Sequence, residues 1–364
     1  MNALYQAALL AAEGKDPTPS EIGRVSVATS PEAARWAFTQ WEVRARAAAK
    51  YARASEMLFT REAMEQGTHE VLARYRASRF PADVEVADLT CGIGGDLVAL
   101  AARGPVVGYE LDPERAAYAL HNLAVLGLHA DVRLADGLQA APNHRYAIAD
   151  PARRVAGRRT LDPTQFEPDP TTLASLMGGM QLGALKLSPM LDDRYLEGLG
   201  GGLEFISYGG ECREACVWLG ASAEPGRWAV DAATGERLEE TVAPWPVDDP
   251  AAYVYEADPA AIRAHALGGF GLDGLGDSNG YLTGPDALDS PWLRGYKAFG
   301  HGAWDLKAIA RALDGWATPV VKMRACRIDP EATRRALKGT GRPGAIVMAY
   351  PAGKKIRFAA VEAL

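Results

Sequence analysis

A chain of 364 residues with 48% hydrophobic and 23% charged residues has the apolar content for a sizeable core and predicts two or three domains. No run approaches the roughly 18 apolar residues that a membrane span needs, and the N-terminus lacks the basic-apolar-small order of a signal peptide; a cytoplasmic protein with no membrane partner is expected. The net charge of −7 hides an asymmetry, because residues 290–364 hold 14 Lys and Arg against five Asp and Glu, a net of +9 that leaves −16 on the rest.

Residues 1–82 read as a helical region. Glu32–Ala54 and Thr60–Arg76 show helical apolar periodicity with almost no Gly or Pro inside. Arg46, Lys50 and Arg53 would share one face of the first of these helices, as an exposed charged stripe.

Next comes Val-Ala-Asp88-Leu-Thr90-Cys91-Gly92-Ile-Gly94-Gly95-Asp96, a short apolar strand over 84–89, a glycine-rich turn, and a helix near 96–103. Such glycines let the backbone turn tightly and approach a ligand closely. A second strand, 106–110, ends in Glu110-Leu111-Asp112, where an acid can accept hydrogen bonds from both hydroxyls of a ribose. After a helix near 113–127, strand 130–134 leads into Asp136-Gly137, and strand 146–150 ends in Asp150-Pro151. Strands alternating with helices predict a doubly wound, mostly parallel α/β sheet, whose ligands bind outside the carboxyl ends of the strands. All four acids fall at those ends.

A dinucleotide fold also has a glycine-rich first turn. Here the third glycine of that fingerprint is absent, and Asp88 at the strand end would repel a pyrophosphate. A cationic, phosphate-free nucleoside such as S-adenosylmethionine tolerates that carboxylate. With these stations in order, the chain resembles the class I S-adenosylmethionine-dependent methyltransferases. The resemblance implies a Rossmann-like core, S-adenosyl-L-methionine as cofactor, Asp88, Thr90, Cys91, Gly92, Gly94 and Gly95 at the first motif, and Glu110 and Leu111 at the ribose. It also implies Asp136 and Gly137 at the adenine, Asp150 and Pro151 at the catalytic edge, and Thr60, Gln66 and Thr68 closing over the methionine end.

Asp88–Gly95 with Glu110-Leu-Asp112-Pro and His121-Asn122-Leu-Ala is similar to the trimethylguanosine-synthase type of RNA methyltransferase. Tyr281-Leu-Thr-Gly, Gly295-Tyr-Lys-Ala-Phe and Lys322-Met-Arg-Ala-Cys-Arg resemble bacterial methyltransferases with a THUMP-like tail, so that most of the chain is covered.

Further strands are expected at 183–188, 203–208 and 215–219, with a helix over Leu191–Leu199 and a hairpin around Gly209-Gly210. Residues 221–250 are polar and proline-bearing, more connector than core. After them a small α/β domain is expected, with helices at Pro259–Ala266, Trp304–Leu313 and Pro330–Leu337, a Gly/Asp-rich loop at 268–280, a strand at 318–327 and a last hairpin through 345–361. The domains so read are 1–82, helical; 83–220, cofactor-binding; 221–252, connector; and 253–364, basic and THUMP-like.

Methyl transfer from a sulfonium is an in-line displacement that asks the protein for alignment and exclusion of water. Amino-methylating relatives use an Asn/Asp-Pro-Pro-aromatic turn; this chain has Asp150-Pro151-Ala-Arg153-Arg154, without the second proline and the aromatic, which counts against an exocyclic amine as target. Asp150 could accept a target N–H or act as base for a ring nitrogen, or simply end a strand. Phe166, Tyr195 or Tyr208 are candidate stacking partners. Arg153, Arg154, Arg158 and Arg159 beside Asp150, and Lys322, Arg324, Arg327, Lys354, Lys355 and Arg357 in the tail, are the candidate RNA contacts, a solvated basic surface being the other reading. Cys91, Cys212, Cys216 and Cys326 have no partners at zinc-site spacing, so no metal is expected, and none has a neighbour that would make it a thiolate nucleophile. The leading expectation is methylation of a base in structured RNA. A small-molecule or protein substrate, and a catalytically silent binding module, are the alternatives.

Overall fold

The computed structural model describes residues 3–152, 154–155 and 158–364, with side chains left aside at Gln66, Arg154, Val155, Arg158 and Arg159. The chain divides into two compact units, residues 1–202 with 216–225, and residues 203–215 with 226–364.

The first unit opens with the helices Ala3–Ala12, Pro19–Ala28 and Pro31–Ala47, joined through an alanine-rich core. Ser30 caps the third by accepting from Ala33 N, and Pro31 stands in its first turn, where a missing N–H costs nothing. That helix stops at Ala47, seven residues before the periodicity predicts, although 48–54 has high helix propensity. Burial wins: Tyr51, Ala54, Met57, Leu58 and Phe59 turn inward to a common cluster with Val43 and Ile93. Lys50 therefore leaves the expected charged face, and its ammonium donates to the carbonyls of Met64, Glu65 and Gly67.

The predicted helix 60–76 is two helices, Arg61–Gln66 and Glu70–Ser78. The break falls at Gly67, which leaves the helix at φ −57° and ψ 134° and has no room for a side chain, since a Cβ would lie 2.5 Å from the Tyr51 hydroxyl and 2.7 Å from the Ala63 carbonyl.

The parallel sheet follows in the order Leu182–Leu187, Tyr146–Ala149, Val86–Asp88, Val106–Glu110, Asp131–Leu134. The chain reverses its direction of travel across the sheet between Val86–Asp88 and Tyr146–Ala149. Crevices form at such a switch point, outside the strand carboxyl ends, and Asp88 and Asp150 flank this one. Helices Gly95–Ala101 and Pro113–Val125 make the crossovers that parallel neighbours require.

Gly209 and Gly210, at φ 65° and 76°, turn the hairpin between Gly202–Tyr208 and Glu211–Leu219, as the paired glycines predict. The segment read as a connector instead holds the strands Gly226–Asp231, Arg237–Glu239 and Pro246–Val247, with Trp228, Ala229 and Val230 buried. An eight-stranded mixed sheet runs Pro246–Val247, Asp273–Leu275, Tyr281–Gly284, Tyr253–Ala257, Leu293–Ala303, Lys355–Ala363, Ala345–Ala352, Val320–Met323. Alternation assigns its two faces: Ile346, Met348 and Tyr350 join one cluster, and Ala345 and Val347 the other, with Ile309 from the helix Leu306–Ala312 and Leu337 just past the helix Pro330–Ala336. Among the described residues no helix is long and apolar enough to cross a membrane, and no group of three or more His, Cys, Asp or Glu could hold a metal ion.

Candidate active site

The strand Val86–Asp88 delivers Asp88 to the crevice almost fully buried, at 3% exposure. The turn after it is held by backbone bonds on both sides, Leu89 N to Ile148 O at 2.9 Å and Cys91 N to Tyr109 O at 2.9 Å. Gly94, at φ 96°, starts the helix Gly95–Ala101 in a left-handed conformation that a side chain would strain. Gly137 is required by proximity, since a Cβ there would sit 2.1 Å from the Leu89 carbonyl oxygen. This contact brings the Asp136-Gly137 turn against the first motif.

Together these elements enclose a cavity of about 710 Å³, all within the first unit. Thr60, Thr68, Asp88, Thr90, Cys91, Gly92, Gly95, Glu110, Leu111, Asp136, Gly137, Asp150 and Pro151 all contribute to its wall, so the geometry gathers nearly the whole predicted set. Gly94 does not line it and acts through the turn. Gln66 closes the helix before Gly67, its side chain lying outside the described residues.

The acids are individually oriented. Glu110 Oε1 accepts from Leu111 N and Asp112 N, both at 2.8 Å, which fixes the carboxylate and leaves Oε2 as the freer oxygen for a diol. Asp136 caps the helix Gly137–Ala140 through Leu138 N at 2.9 Å. Asp150 N donates to Thr90 Oγ1 at 2.7 Å, and its Oδ2 accepts from the ammonium of Lys186 at 2.5 Å. That ammonium, 6% exposed, also donates to Thr68 Oγ1 at 2.5 Å, tying the segment between the two helices to the Asp150 edge of the cavity.

Lys186 was not anticipated. Its signal in the sequence is a lone lysine inside Leu-Gly-Ala-Leu-Lys-Leu, a strand buried along its whole length. A buried charge persists only with a partner, and Asp150 is that partner. A second buried pair, Arg76 with Asp96, lies behind the first motif, Arg76 being wholly buried.

Burial, followed by the nearby carboxylates of Asp96 and Asp150, drives the pKa of Asp88 well above the usual carboxylate range, against the opposing Thr90 N–H and Arg76. The stability this shift confers is present at low pH and is lost as pH rises through the raised value. Asp88→Asn is therefore expected to raise the melting temperature of the ligand-free protein at neutral pH, to flatten that pH dependence, and to weaken binding of a cationic cofactor about tenfold. Thermal melts across pH with a cofactor titration check this; a lower neutral melting temperature would contradict it.

The wall also carries Glu62, Asp96, Asp112 and Glu167, so that among the described residues eight carboxylates face one guanidinium, Arg115. Such a wall repels a pyrophosphate and suits a ligand with an ammonium and a sulfonium, and the volume lies within the roughly 300–1,000 Å³ of small-molecule sites. The residues present fit S-adenosylmethionine.

A protein of Mycobacterium tuberculosis, in strains H37Rv and CDC 1551, is 36% identical over 310 residues, covering 81% of this chain and 85% of the relative, and is named an uncharacterised S-adenosylmethionine-dependent methyltransferase. The chain belongs to the S-adenosylmethionine-dependent methyltransferases. A solved protein of Porphyromonas gingivalis W83 that bears a methyltransferase name shares the fold at a TM-score of 0.79 and 22% identity, over 99% of this chain and 97% of that one. No protein-family model matches.

Several expectations about this methyltransferase need correction. Phe166, Tyr195 and Tyr208 do not line the cavity; its aromatic residues are Tyr51 and Tyr109. Phe166 is core, at 2% exposure. Lys322 donates to Glu256 at 2.5 Å, with Arg324 3.6 Å from the same carboxylate, and Arg357 is paired with Asp249, so these three tail cations are engaged within their own unit. Arg327, Lys354 and Lys355 are exposed. Arg153 lies outside the described residues, and Arg154, Arg158 and Arg159 belong to a short antiparallel pair, Arg154–Val155 with Arg158–Arg159. Burial pushes the thiols of Cys91 and Cys326 up and that of Cys212 up to about 12, which disfavours a covalent cysteine route.

Proposed function

We propose that this methyltransferase acts on a base in structured RNA by direct in-line transfer, with Asp150 aligning the target nitrogen. The observation that supports this is the Asp150 carboxylate in the cavity wall, one oxygen held by Lys186 and the backbone N–H held by Thr90. Fixed in this way, Asp150 has its other oxygen available to accept the target N–H. The bound cofactor supplies a methyl group on a sulfonium.

In this reading Glu110 and Leu111 hold the ribose, Asp136 and Gly137 border the adenine, and Asp88, Thr90, Cys91, Gly92, Gly94 and Gly95 shape the turn beneath the cofactor. Thr60, Gln66 and Thr68 cover its methionyl end and exclude water, while Pro151 limits the movement of Asp150. RNA as partner rests on the +9 of residues 290–364 and on the exposed Arg327, Lys354 and Lys355; the last two follow Gly353 at a hairpin tip, at φ 57°.

Reversing Lys354 and Lys355 to Glu together is expected to weaken RNA binding about tenfold at moderate salt. It should also reduce the slope of log affinity against log salt by roughly 1.4–1.8, with cofactor affinity unchanged. Electrophoretic shift titrations at several salt concentrations measure both; an unaltered slope would overturn docking through this tip. The acid-lined cavity and the engaged Lys322, Arg324 and Arg357 favour a second reading, a protein or small-molecule substrate. Under it, methylation persists when RNA is removed.

A further inference from the structure

Tyr51 lines the cavity wall, and neither the motifs nor the reaction assigns it a role. It is 6% exposed, and its hydroxyl is buried with no hydrogen-bond partner. Buried polar groups in folded proteins are nearly always satisfied, so an orphan in a ligand cavity points to a partner that arrives with the ligand. The ring is held against Phe59, centroids 5.5 Å apart, and the backbone by Tyr51 N to Ala47 O at 3.0 Å. A methyl group on Gly95 would lie 3.9 Å from both the hydroxyl and Thr68 N, which locates the hydroxyl over the start of the helix Gly95–Ala101, beside Thr68.

The surroundings define what that partner must be. Asp88, Asp96 and Asp150 in the same wall are acceptors, matched to the ammonium and sulfonium of S-adenosylmethionine. Its third charged group, the carboxylate, needs donors. Burial first, then the carboxylates of Asp96, Glu70 and Asp150, raise the phenol pKa and keep Tyr51 protonated, so its hydroxyl has a hydrogen to give.

We propose that Tyr51 donates a hydrogen bond to the methionyl carboxylate of the bound cofactor, and that through it the cavity selects carboxylate-bearing over decarboxylated cofactors. This rests on the cavity being the S-adenosylmethionine site. Tyr51→Phe keeps the ring and removes only the unsatisfied hydroxyl, so the apo melting temperature should not fall.

Calorimetric titration of the full chain with S-adenosylmethionine and with decarboxylated S-adenosylmethionine tests it. Wild type is expected to bind the former about tenfold more tightly, and Tyr51→Phe to lose that ratio while its affinity for the decarboxylated compound is unchanged. Equal weakening of both compounds, or none, in the variant would overturn the proposal. So would a wild-type protein that binds both alike, a result that needs no variant. Wild type binding neither compound would instead remove the site assignment on which the proposal stands.

Discussion

Asp150→Asn is expected to lower the rate of methyl transfer by about 10²–10⁴-fold while changing cofactor affinity by no more than a few-fold. The substitution preserves shape but removes the charge opposite Lys186, whose ammonium is 6% exposed and 2.5 Å from Asp150 Oδ2. A buried cation that loses its counter-charge is destabilising. Because the Asp150 side chain is 30% exposed, solvent screens part of the effect, and about 1–3 kcal/mol is expected. Lys186→Met separates positioning from contact: it leaves the carboxylate present but unanchored, so a smaller loss of about tenfold should appear in the rate. Single-turnover rates with melting curves for both variants distinguish the two roles. Equal rates for Asp150→Asn and wild type would show that Asp150 merely ends its strand.

The largest effect on stability is expected from Arg76→Met. The guanidinium is wholly buried and paired with Asp96, which is itself 8% exposed. Breaking such a pair by removing one partner costs about 3–5 kcal/mol, on the order of 10 °C in melting temperature for a unit of this size. Arg76 is also one of the two influences that hold the pKa of Asp88 down. Its loss raises that pKa further, so the stability deficit should widen as pH rises and narrow in acid. Melting curves of the variant at several pH values check the sign; a variant as stable as wild type at neutral pH would show that the pair contributes nothing.

Asp88, Glu110 and Asp150 were legible because each closes an apolar strand, and Asp136 because it follows the strand Asp131–Leu134 within two residues; carboxyl ends of parallel strands are where such sheets bind ligands. Lys186 was not, since its partner lies 36 residues earlier and nothing local distinguishes it from any lysine. Tyr51 was hidden by helix propensity: Ala-Lys-Tyr-Ala-Arg reads as helix interior, and only tertiary burial turns it out of the helix Pro31–Ala47. The long strand Leu293–Ala303 went unseen because Gly295, Gly300 and Gly302 interrupt its alternation, with a register shift between Ala298 and Gly300. Lys322 and Arg324 read as free cations because Glu256, which engages both, lies 66 residues before Lys322. Charge counts see composition, whereas pairing is a property of the fold.

The first measurement to make is transfer of radiolabelled methyl from S-adenosylmethionine to total RNA from cells lacking the gene, with wild type and Asp150→Asn in parallel and each reaction divided between RNase and protease. Label that RNase removes and protease does not, present with wild type and nearly absent with Asp150→Asn, is the expected result. Label that survives RNase but not protease, or equal labelling by the two proteins, would contradict an RNA methyltransferase working through Asp150.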